Sequence, residues 1–71
     1  MTAYYVVFEP TGTGFSAYVP DLPGCIAAGD DMDETRALIR EAIEAHVVSM
    51  RQAGEAVPRP SLVERVEVGV A

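Results

Sequence analysis

The sequence predicts an α+β domain: three antiparallel strands, one long helix and a last strand in a single sheet of order 3-2-1-4, with the helix on one face. Three observations predict it. Short runs rich in β-branched and aromatic residues, separated by glycine and proline, fill the N-terminal part. A long run with apolar residues at three- and four-residue steps follows them. Near the C-terminus, apolar and polar residues alternate. At 71 residues the chain is one domain, residues 1–71.

The elements follow in order. Ala3 to Glu9, AYYVVFE, reads as a first strand, and Pro10 to Gly14 as a turn. Phe15 to Val19 is a second strand, so the pair forms a hairpin. Pro20 and Pro23 lack the N–H a ladder needs, so they bound a connector that leads to a short third strand, Cys25 to Ala28. Asp31 caps a helix, with Glu34 three positions on, and Asp33 and Glu34 suit the positive end of the helix dipole. Thr35, Leu38, Ile39, Ala42, Ile43, His46, Val47 and Met50 form its apolar stripe, from about Met32 to about Ala53, with Gly54 ending it. Pro58 and Pro60 mark an extended connector, and Leu62 to Val70 alternates as a fourth strand. Laid parallel beside the first strand, it makes a right-handed crossover.

One strand face carries Tyr4, Val6 and Phe8, with Phe15, Ala17 and Val19 beside them, to pack on the helix. The other carries Tyr5, Val7, Ser16 and Tyr18, with either Cys25 and Ala27 or Ile26 and Ala28. That second face is half apolar and has no helix to cover it, which points to a homo-oligomer joined there or at a strand edge.

Composition narrows the function. A single cysteine excludes a disulfide within the chain and fits a reducing cytoplasm. No apolar run is long enough to span a bilayer. The net charge is −6, with five basic residues and no lysine, so direct nucleic-acid binding is not expected. An acidic chain suits a basic protein partner. Cys25 and His46 are the obvious catalytic pair, but one precedes the helix and the other lies deep within it, so both read as packing residues. A β-β-β-α-β order is also the first half of a ribonuclease H-like fold, whose enzymes hold metals with clustered carboxylates. The alternative reading is therefore a metal-dependent nuclease using Glu9, Glu34 and Glu64. Glu34 is already explained as part of the helix cap, and few cations are present to hold nucleic acid. No catalytic residue, metal site or cofactor is assigned.

The residues YYVVFE, then Gly14-Phe15, then AYVPDLPGCIAAGDD, then Glu34 with Ala42-Ile43, and Gly54, Val57, Pro58 and Pro60 form a pattern over nearly the whole chain. It resembles the HicB family, the antitoxins of HicA–HicB toxin–antitoxin systems. The run from Val19 to Asp30 is its most specific part. The resemblance implies a partial ribonuclease H-like fold without a nuclease centre. It also implies a non-enzymatic module that neutralises a small basic HicA-like, mRNA-cleaving toxin by occluding its RNA site. Many members carry a C-terminal DNA-binding segment, which this sequence does not show. The family usually has Ser or Thr where Asp31 stands and Ala where Thr35 stands. The residues placed at the partner surface are Tyr18, Asp21, Asp30 and Asp31, which the turn and the helix entry present.

Overall fold

The hairpin forms where alternation and turn chemistry agree. In the computed structural model, which describes residues 2–70, β1 is Val7–Pro10 and β2 is Phe15–Tyr18, paired antiparallel from Val7↔Tyr18 to Pro10↔Phe15. The turn between them closes with Thr11 N–H donating to Gly14 O (2.8 Å), and the Thr11 hydroxyl accepts from Gly14 N–H (2.9 Å). Strand β3, Ile26–Gly29, pairs antiparallel with β2, from Phe15↔Gly29 to Tyr18↔Ile26. Among the described residues the sheet is therefore a meander of order β1-β2-β3.

The VPDLPGC connector is a structural wedge. Val19, Leu22 and Cys25, three positions apart, are all buried and meet Ala17 and Ile39 in the core. Two tight turns produce that spacing: Leu22 N–H donates to Val19 O (3.1 Å), and Cys25 N–H to Leu22 O (3.0 Å). In the second turn Pro23 precedes Gly24 at φ +85°, a conformation that glycine adopts without steric cost.

Helix α1, Met32–Gln52, opens on Asp31, whose carboxylate accepts from Glu34 N–H at 2.8 Å. Thr35 is fully buried, and its hydroxyl donates to Asp31 O at 2.7 Å. Gly54 (φ +73°) ends the helix. Its N–H donates to Arg51 O and Glu55 N–H donates to Met50 O, a Schellman arrangement that satisfies the last carbonyls. The helix packs over β3 and β2. At about 1.5 Å per residue it is roughly 31 Å long against about 10 Å for a four-residue strand, so its C-terminal half overhangs the sheet.

The α+β class and the 3-2-1 strand order stand. The fourth strand does not: residues 62–70 form no ladder here, so among the described residues the order 3-2-1-4 loses its last member. A strand needs a partner edge, and the chain fastens the connector elsewhere. Tyr4 OH donates to Pro58 O (2.6 Å), and Ser61 donates to both Asp21 carboxylate oxygens, through N–H (2.8 Å) and hydroxyl (2.6 Å). β1 also starts at Val7 rather than Ala3. Its partner turns away after Tyr18, because Val19 N–H is given to Cys25 O (3.2 Å) and Pro20 has none to give. Tyr4 and Val6 still pack on the core as an arm without a ladder.

Candidate functional site

The register builds one uncovered row. Val7, Tyr18 and Ile26 stand opposite one another across the three strands, on the face turned away from α1. Ile26 is 70% exposed and Tyr18 40%, with exposed Tyr5 just before the row. The core takes the alternate set, with Cys25 buried and Ala27 packed against it. Sequence left the facing of β3 open, and the inward Cys25 turn decides it.

The far end of the sheet is acidic. Asp30, Asp31, Asp33 and Glu34 follow β3 directly, and Glu9 lies near the end of β1 at the same side. Arg36 answers Asp33 at 3.0 Å and lies over the Phe8 ring, 5.9 Å from its centre.

The four residues placed at the partner surface fall into two pairs. Tyr18 and Asp21 lie at the end where β2 leaves the sheet, and Asp30 and Asp31 at the opposite end, a strand length of about 10 Å away. Asp30 is exposed. Asp31 is exposed but serves as the helix cap. Asp21 holds Ser61, and the hydroxyl and amide bonds keep its carboxyl below the usual carboxylate range. Ile26, Val7 and Ser61 join this picture only through the pairing and a contact 40 positions apart.

Burial pushes the Cys25 thiol up, away from the thiolate a nucleophile needs. His46 is half-buried on α1. Among the described residues, no three His, Cys, Asp or Glu side chains come together as a metal ligand set. Glu34 lies in the first turn of α1, while Glu64 lies beyond Ser61 in the segment without a ladder. No described helix is long and apolar enough to cross a membrane.

Residues 4–69 match the family described as HicB-like antitoxin of bacterial toxin-antitoxin system. An uncharacterised 14.9 kDa protein from the rep-hol intergenic region of Haemophilus phage HP1 is 34% identical over 62 residues, which cover 87% of this chain and 47% of the phage protein. The chain thus spans about half the length of that relative. A UPF0150 protein of Thermoplasma acidophilum is 39% identical over 62 residues, 86% of this chain and 90% of that protein. Among solved structures, a chain of the HicA3 and HicB3 toxin-antitoxin complex superposes with a TM-score of 0.73 at 28% identity, over 84% of this chain and 70% of that one.

Proposed function

We propose, for a chain that belongs to the HicB-like antitoxins of bacterial toxin–antitoxin systems, that it binds a small basic HicA-type toxin and covers the surface with which the toxin holds RNA. The observation that carries this reading is the likeness to a chain of a toxin-antitoxin complex, at 28% identity and a TM-score of 0.73. Charge supports it. A toxin that grips RNA presents cations, and this chain carries −6 with no lysine and crowds carboxylates at the entry to α1.

In this reading the chain is a binder and not an enzyme, needs no cofactor and does not touch nucleic acid itself. The row Val7, Tyr18 and Ile26 supplies apolar contact, and Asp30 and Asp31 steer the encounter. Asp21 contributes by holding Ser61.

The experiment mixes the purified chain with a HicA-type toxin and follows both association and RNA cleavage. A stoichiometric complex and loss of cleavage are expected. Asp30→Arg slows association and flattens its salt dependence, while Tyr18→Ala speeds dissociation. A toxin that cleaves RNA at full rate in excess of this chain would remove the proposal.

A further inference from the structure

A groove of about 780 Å³ runs between the outer edge of β1, with the arm before it, and helix α1. Tyr4, Val6 and Phe8 form one wall, and Ile39 and Ile43, with Arg36, Arg40 and Glu44 beside them, the other. Because α1 packs over β3 and β2, it meets β1 here chiefly through Arg36, which lies over the Phe8 ring. The same chain carries a nine-residue segment with the opposite deficit. In residues 62–70, Leu62, Glu64, Val66, Val68 and Val70 fall on one face, and Val63, Arg65, Glu67 and Gly69 on the other. Val66, Val68 and Val70 are 72%, 70% and 82% exposed, and Leu62 is fully exposed. Thus one part of the molecule is a strand edge lacking a strand, and another is a strand pattern lacking an edge.

We propose that residues 62–70 of one copy lie along the β1 edge of a second copy, valines into its groove, and that the exchange is reciprocal. The fit is one of length and pattern. Residues 3–10 offer eight positions of edge, and the segment brings nine, about 30 Å when extended. Its face of Leu62, Val66, Val68 and Val70, with Glu64 among them, meets the wall of Tyr4, Val6 and Phe8, and the face carrying Arg65 and Glu67 then lies outward.

The fastening of the connector selects a second copy over the chain's own groove. Pro58 is held by Tyr4 and Ser61 by Asp21, with Pro60 stiffening the step between them. From that point the segment projects outward. The radius of gyration is 14.2 Å and the longest dimension 49 Å, whereas a compact domain of this length has a radius of gyration of about 11 Å. A short, stiff hinge before a strand favours exchange between copies over closure within one.

The test is complementation measured by light scattering on a sizing column. The native chain is expected at twice its own mass. A tail variant, Val66→Asp with Val68→Asp, and a groove variant, Val6→Asp, are each expected at the mass of one chain. An equimolar mixture of the two is expected to recover the doubled mass, because one brings an intact groove and the other an intact tail. Helical circular dichroism checks that each variant is folded. If Val6→Asp unfolds, Tyr5→Pro, exposed and outside the ladder, replaces it as the groove variant. A native chain at single mass throughout the micromolar range overturns the proposal in favour of closure within one chain. A tail variant that keeps the doubled mass, or a mixture that stays at single mass, overturns it in favour of another interface. A native chain whose tail becomes protected from protease only when toxin is added assigns the segment to the toxin and overturns it as well.

Discussion

Replacing Gly14 by alanine puts a methyl group where the β1–β2 turn meets the end of β3. The new Cβ would stand 2.9 Å from Asp30 Cα and 3.0 Å from Asp30 O, and closer still to Gly29 O. Carbon contacts are comfortable near 3.5–4.0 Å. All three neighbours are backbone, so no side chain can swing aside. The turn and the β3 end must separate by roughly half an ångström or more, straining the pairing that carries the chain into the Asp31 cap. Overpacking of this kind costs about 1–3 kcal/mol. A domain of this size loses about 4–8 °C of Tm per kcal/mol, so a fall of about 4–24 °C follows. Gly12, two positions earlier in the same turn, has nothing within 4 Å of its ideal Cβ, so Gly12→Ala is expected within about 0.5 kcal/mol of the parent. Thermal melts followed by circular dichroism at 222 nm compare the two. Equal melting temperatures would refute the claim that the turn and the β3 end are in contact.

Leu22→Ala removes a fully buried side chain and should cost about 2–5 kcal/mol, a large share of the roughly 4–10 kcal/mol available to a chain this short; urea midpoints measure it. Thr35→Val removes only the hydroxyl bond, since Asp31 O keeps the Thr35 N–H, so a loss of about 1 kcal/mol with an unchanged m-value is expected. Asp21 has its folded pKa lowered by Ser61, so its contribution is present above the unfolded carboxylate value and is lost as pH falls through the folded one. The Ser61 amide resonance should therefore shift on acidification below about pH 4, and Asp21→Ala should abolish that titration. Cys25, buried with its thiol pushed up, should react with a thiol reagent at pH 8 at least about tenfold more slowly in the native state than in urea.

Local chemistry made most of the fold legible. The Pro10–Gly14 turn, the Asp31 cap with Glu34, the 3.6-residue stripe and Gly54 each act within a few positions, and each stands where the pattern put it. The connector was legible as structural because its prolines and glycines lack a base or a ligand set beside them. Leu62–Val70 has the alternation of a strand, but alternation specifies only which side chains share a face. Whether a ladder forms depends on an edge set elsewhere. The arm from Ala3 to Val6 failed to join β1 for the same reason, its partner being drawn into the Val19–Cys25 turn. The candidate surface was half legible. Exposure of Tyr18 and Asp30 follows from alternation and loop position. The engagement of Asp21 with Ser61 joins residues 40 apart, and no short-range signal announces it.

The strand pairings link neighbours in sequence, whereas the ties at Pro58 and Ser61 span 54 and 40 positions. Contacts between near neighbours close early, and distant ones wait for the chain to explore more space. Refolding should then show two clocks. Helix and meander signals recover first, within milliseconds or less, and the fluorescence environment of Tyr4 settles afterwards. In the interval a molecule has its core built while both of its ends are still undecided about where to attach.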